Sequence, residues 1–150
     1  MRKIIADTSC LIILSKIKEL HLLKLLYGEI LITDTIAKEF DEPLPDWIII
    51  CPIKLNENVF LFEKRIDKGE ASAIMLALEI PNSTIIIDDF KGRSLAKELG
   101  IKVTGTIGVI ISAKNKKLIP SIKPMLEKIK ETNFYVSKEL EKEALDLAKE

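Results

Sequence analysis

The chain has no glutamine, a single histidine, a single tryptophan and only two cysteines among its 150 residues. Cys10 and Cys51 lie too far apart for metal-ligand spacing, so both are expected to be reduced core residues. His21 falls in a leucine-rich segment and is read as structural. No apolar run approaches the roughly 18 residues that a spanning helix requires, and the opening Met-Arg-Lys-Ile-Ile-Ala-Asp7 carries a charge too soon for a secretory signal. No membrane association and a cytoplasmic location are therefore expected. Charge of one sign is also lacking: 23 basic and 23 acidic residues cancel. Nothing in the overall charge argues for nucleic acid, so any such binding must come from a local patch. No glycine-rich phosphate loop follows any apolar run, which disfavours a nucleotide-binding enzyme. Internal repeats and low-complexity segments are absent as well.

What remains is a chain with 47% hydrophobic and 31% charged residues, the balance of a soluble globular protein. Its length suits one domain, residues 1–150, with a single core. Lysine, glutamate and isoleucine are abundant while glutamine is missing, a bias associated with proteins from hot environments.

The most informative stretch is Lys3 to Ser9, an apolar run that ends at Asp7 and is followed by Thr8 and Ser9. A continuous apolar run without alternation is the mark of a strand covered on both faces, as in a parallel sheet between helices. Two short helices follow, Cys10 to Lys16 and Leu20 to Tyr27, broken near Lys18 and ended by Gly28. Glu29 to Thr33 reads as a second strand. Thr33 and Asp34 then cap a helix through Phe40 that turns Ile36 and Phe40 inward and ends at Pro43 and Pro45. Trp47 to Ile53 suits an edge strand, because Pro52 cannot donate into a ladder.

Asn56 to Ile66 is a mixed helix and Ala71 to Ile80 an alanine-rich one. Thr84 to Ile87 is a fully apolar strand that stops at Asp88 and Asp89, repeating the pattern of the opening. A helix from Phe90 to Leu99 closes at Gly100, a short strand spans Lys102 to Thr104, and another helix spans Gly105 to Lys114. Two amphipathic helices, separated at Asn133 to Val136, fill a C-terminal extension over residues 121–150. Leu140, Ala144 and Leu147 share a face of the second one, suited to the core or to a partner. Strands alternate with helices throughout, so the class is α/β: a three-layer α/β/α sandwich with a mainly parallel central sheet.

Five acids stand out: Asp7, Glu39, Glu70, Asp88 and Asp89. Each also has a bland reading. Asp7, Thr8 or Ser9 can cap the helix after the first strand, and Asp88 or Asp89 the helix from Phe90. Asp67 with Glu70 fits a capping box. Glu39 can be an ordinary solvated side chain, although at a helix C-terminus it opposes the dipole. Taken together the acids say more, because parallel strands joined by crossover helices bring their carboxyl ends to one edge. Two unit charges about 4 Å apart repel by roughly 4 kcal/mol at an effective dielectric near 20, so protons or a cation must intervene. An all-oxygen ligand set suits Mg²⁺ or Mn²⁺ rather than zinc. A divalent ion so held activates water for attack on a phosphodiester, with Thr8 and Ser9 placed to orient Asp7 or a bound water.

The order Asp7-Thr-Ser, Glu39, an acid opening the next helix, then Asp88-Asp89 resembles the PIN domain. The phrases Gly69-Glu70-Ala-Ser-Ala-Ile74, Asp88-Asp89-Phe-Lys-Gly-Arg93-Ser-Leu-Ala96 and Gly105-Thr-Ile-Gly108 resemble a prokaryotic branch related to VapC-type toxins. The resemblance covers about residues 1–120. It implies a Mg²⁺- or Mn²⁺-dependent endoribonuclease acting on single-stranded RNA, commonly a homo-oligomer such as a dimer, and in toxin members a partner antitoxin. Carried over, Asp7, Glu39 and Asp88 are metal ligands. Glu70 stands where the family usually has Asp, so it binds from farther back or through water, and Asp89 is either a ligand or a cap.

Phosphate contacts are expected from Lys91, Arg93 and Lys97 along one helix, with Thr8 beside the acids. A second cluster, Lys114, Lys116, Lys117, Lys123, Lys128 and Lys130, reads more simply as a solvated lysine-rich surface. Arg93 can instead pair with Asp88 or Asp89, and Gly105 to Gly108 can present amides to a phosphate. Two other readings compete with the nuclease. One is a non-catalytic PIN-like module that binds nucleic acid or protein. The other, a phosphotransfer receiver, needs its acid pair after the first strand, whereas here the pair follows a late one.

Overall fold

Each apolar run becomes a strand: β1 (Lys3–Ala6), β2 (Ile30–Ile32), β3 (Ile48–Ile50), β4 (Ser83–Ile86) and β5 (Lys102–Thr104). They form one sheet in the order β3-β2-β1-β4-β5, with every neighbouring pair parallel. The computed structural model describes residues 2–54 and 57–150. Successive residues of β1 point to opposite faces, yet Ile4, Ile5 and Ala6 are all buried, so helices cover both sides. One layer is built round α5 (Lys68–Glu79), which packs with α3 (Asp34–Phe40), α4 (Glu57–Glu63) and α6 (Phe90–Glu98). The other is built round α7 (Thr106–Asn115), which packs with α1 (Thr8–Lys16), α2 (Leu22–Tyr27) and α9 (Lys138–Leu147). α8 (Lys123–Lys130) precedes α9 and buries Met125, Leu126 and Ile129. The result is the α/β/α sandwich, with a sheet that is parallel throughout.

Local chemistry sets the boundaries. α1 ends at Lys16 and the chain takes a left-handed turn at Lys18 (φ 60°) before α2, which stops at Gly28 (φ 78°). Thr33 caps α3 by accepting from the Ile36 amide at 3.2 Å. That helix already ends at Asp41, left-handed at φ 51°, so Pro43 and Pro45 follow the stop and do not cause it. β3 is an edge strand as expected, but it covers only Ile48–Ile50, so Pro52 lies beyond the ladder and does not set its place. The expected helix start at Asn56 lies outside the described residues. α5 starts at Lys68, earlier than the alanine run, because the Asp67 carboxylate accepts from the Glu70 amide at 2.8 Å and draws residues 68–70 into the first turn.

The C-terminal helices close on the core. Ala144 and Ala148 are buried, while Leu147 is exposed and Leu140 only half-buried, so the expected apolar face divides between the two. The last turn is tied down by the Lys114 ammonium, which donates to the Ala148 carbonyl at 2.8 Å. The Glu150 carboxylate accepts from the Ile122 amide at 2.8 Å and from the Ser121 hydroxyl.

Candidate active site

The strand order reverses between β1 and β4: β2 and β3 lie on one side of β1, and β4 and β5 on the other. Such a switch point leaves a crevice beyond the carboxyl ends of the two strands. Ala6 pairs with Ile86, and the Asp7 amide still donates to the Ile86 carbonyl at 3.0 Å. Asp7 therefore leaves the sheet level with Ile87, one residue short of Asp88.

Asp7 occupies the N-cap position of α1 but makes no side-chain capping hydrogen bond, and it is only 3% exposed. The capping explanation thus fails for this acid. Burial pushes its carboxyl up to about 7; the neighbouring Thr8 amide offsets part of this, and the charges of Asp67, Glu39 and Asp88 add to the rise. No cationic side chain figures among these influences.

The other acids are held by their own elements. Glu39, near the C-terminus of α3, accepts from the Thr8 hydroxyl at 2.6 Å. Its carboxylate lies where a Cβ on Gly69 would stand, so Glu39 can take this position only because residue 69 has no side chain. A buried chain of hydroxyls fixes that approach. The oxygens of Thr33 and Ser72 lie 2.6 Å apart, and Ser72 also donates to the Gly69 carbonyl at 2.7 Å. Glu70, expected at the mouth of its helix, is instead buried inside the first turn at 6% exposure. Its carboxylate points towards Gly92 of α6, where an added Cβ would lie 3.0 Å from Oε2. Burial first, then the charges of Asp67, Asp7 and Asp89, push Glu70 up to about 8.

Asp88 is anchored at both oxygens. Oδ1 accepts from the Thr106 amide at 2.8 Å and Oδ2 from the Thr106 hydroxyl at 2.6 Å, so Asp88 caps α7 across the chain. Gly105, the residue at the N-cap position, leaves room for this: a Cβ there would meet Oδ1 at 2.9 Å. The Thr106 amide, a candidate phosphate donor in the Gly105 to Gly108 motif, is thereby already taken. Burial raises the Asp88 carboxyl, and the two Thr106 bonds and the Arg93 charge pull it back. Asp89 is a plain cap, accepting from the Lys91 and Gly92 amides at 3.1 and 3.2 Å.

The structure therefore brings Asp7, Glu39, Glu70 and Asp88 to one rim, with Asp89 at its margin beside Glu70. It adds one acid that sequence reasoning left as a cap partner. Asp67 bears on both Asp7 and Glu70, and it shares a polar recess of about 340 Å³ with Glu70, Asp89, Lys91 and Arg65. The only sequence signal for this was its place one turn ahead of Glu70. Ser9 is exposed beside the rim. Lys91 borders the recess, whereas the Arg93 guanidinium donates to the Ile87 carbonyl at 2.8 Å and lies beside Gly105, so it braces the strand end. In the second lysine cluster Lys114 holds the end of α9, and Lys130 pairs with Glu127 and Glu141. His21 stands at the surface, 3.7 Å from Glu19.

The acids at this rim offer only oxygen donors, the kind a hard divalent cation takes. Burial first, then neighbouring carboxylates, raise Asp7 and Glu70, and no cationic side chain figures among the influences on either. Among the described residues no three of these acids, as they are placed, stand close enough together to hold a metal ion.

No curated protein matches the chain. A family model, DUF3368, described as a PIN domain, matches residues 3–150 and so includes the two C-terminal helices as well as the acid rim. With the parallel sheet, the switch point and the acids in the order expected of that fold, the chain belongs to the PIN-domain family DUF3368.

Proposed function

We propose that this chain is a divalent-cation-dependent nuclease that hydrolyses phosphodiester bonds in single-stranded RNA. PIN domains are usually nucleases, and the observation that carries the reading here is Asp7. It is a carboxylate buried at a switch point, capping nothing, with other acids bearing on it. A fold tolerates so costly a group where function requires it. Asp7, Glu39, Glu70 and Asp88 would hold Mg²⁺ or Mn²⁺, with Asp67 beside them. The ion, when bound, supplies an activated water and stabilises the charge that builds on the phosphate.

The chain's own residues hold the acids in place. Thr106 locks the Asp88 carboxylate with two bonds, and Thr8 fixes Glu39. The Thr33–Ser72 contact keeps α3 against α5, and Lys91 offers a positive charge at the edge of the recess. By its resemblance to toxin nucleases the chain would act as a homo-oligomer and be silenced by a partner antitoxin. Phe60 and Leu61, adjacent on α4 and mostly exposed, offer apolar surface for such assembly.

Calorimetric titration with Mn²⁺, alongside cleavage of a labelled single-stranded RNA, tests the proposal. Binding and metal-dependent cleavage are both expected, and both should vanish in Asp7→Asn and Asp88→Asn. A folded chain that takes up no manganese at millimolar concentration and cuts no RNA would end it.

A further inference from the structure

Three depressions beside the acid rim, each sharing lining residues with the next, are taken together as one furrow. The first, of about 450 Å³, is walled by Asp88, Arg93, Gly105, Ile107, Phe134 and Leu140 among others. The second, of about 350 Å³, lies between Ser9, Ile12 and Lys16 of α1 and residues Thr132, Asn133 and Phe134 of the α8–α9 loop. A third, of about 430 Å³, is bordered by Lys16, Lys18, Lys128 and Glu131, together with Thr132 and Asn133. Phe134 is common to the first two, and Lys16, Thr132 and Asn133 are common to the last two. The furrow thus starts at Asp88, passes Ser9 and the Phe134 ring, and follows α1 to its C-terminus.

Its chemistry changes along its length. One end holds Asp88 of the acid rim with Arg93 and Glu143, the middle is apolar at Ile12, Ile13 and Phe134, and the far end carries three lysines against Glu131. Lys128 approaches Glu19 only at 3.8 Å, with half its side chain exposed, a weak pair in water. From Ser9 to Lys16 the helix rises by roughly 10 Å, enough for about three nucleotides at a stacked rise of about 3.4 Å. A positive groove combined with an aromatic platform is how proteins hold unpaired strands irrespective of sequence.

We infer that this furrow is the track for an unpaired nucleic-acid strand, with bases against Phe134 and backbone phosphates on Lys16, Lys18 and Lys128, leading to the acid rim. The inference rests on the nuclease reading for its endpoint but not for the binding itself. It also gives the C-terminal extension a role, since the α8–α9 loop forms one wall of the track.

The test compares wild type with Lys16→Ala/Lys128→Ala, with Phe134→Leu, and with Lys102→Ala as a control outside the furrow. Binding of a short labelled oligouridine is followed by fluorescence anisotropy across a salt series, with circular dichroism to check folding. The double lysine variant should bind about tenfold more weakly at low salt, and its slope of log affinity against log salt should fall by about 1.4, two phosphates at about 0.7 each. Phe134→Leu should weaken binding with its salt slope unchanged, and Lys102→Ala should match wild type. In cleavage assays the lysine variant should raise KM and leave kcat intact. If wild type cuts RNA and the lysine variant binds and cuts equally well, the furrow serves some other occupant such as a polypeptide, and the track is overturned while the nuclease stands. If wild type cuts nothing yet binds with the lysine-dependent slope, the track is upheld and the nuclease reading fails.

Discussion

Asp7 shows what a single residue costs in this chain. Its usual value of 3.8 rises to about 7 in the folded state, so the folded protein holds this proton more tightly than the unfolded chain does. The stability linked to Asp7 is therefore fully present below about pH 4 and is lost as pH rises through about 7. Glu70, raised from 4.5 to about 8, acts in the same sense and extends the window upward. In chelator the wild type should become less stable between pH 4 and 8, with Asp7 contributing on the order of 4 kcal/mol at the upper end. Asp7→Asn should flatten that slope, raising the urea midpoint at pH 8 while leaving it nearly unchanged at pH 4. A variant less stable than wild type at pH 8 would mean that the carboxylate has a structural partner after all. The sequence marked Asp7 because the strand before it was plain. Asp67 was read only as a cap because an acid at a helix start has an adequate local explanation, and in fact it does cap.

At the level of elements, the site depends on how closely α5 approaches α3. Thr33 and Ser72 join the two helices, and Gly69 leaves the space that the Glu39 carboxylate fills. Gly69→Ala should displace Glu39, the far end of a flexible side chain, and leave the helices where they are. The predicted result is a thermal midpoint within a few degrees of wild type and cleavage reduced roughly tenfold or more, as small misplacements at a reacting centre cause. An activity equal to wild type would show that Glu39 is dispensable. The strands and most helix ends were legible because apolar runs, Gly28, Gly100 and Thr33 act locally. The burial of Glu70 was not, because it follows from α6 passing over the first turn of α5 at Gly92, a contact between residues 22 apart in the chain.

For the molecule as a whole, composition and architecture point the same way. Abundant lysine, glutamate and isoleucine, the lack of glutamine, and a C-terminus tied to Lys114, Ser121 and Ile122 should give a thermal midpoint above the roughly 45–65 °C of ordinary domains. Scanning calorimetry at neutral pH checks this, and a midpoint inside that range would remove the reading of a hot origin. The family match running through residue 150 accords with the same picture, since α9 packs on α7 and the loop before it reaches the acid rim.

Residue order alone was enough for the strands, their parallel arrangement and the carboxylates that follow β1 and β4, because hydrophobic period and terminal residues act over a few positions. It took the folded chain to reveal that Asp7 caps nothing, that Asp88 commits both oxygens to α7, that Asp67 joins the acids, and that Phe134 shares a groove with Ser9. Those facts depend on which distant side chains meet when the two helical layers close on the sheet, and no local pattern encodes that meeting.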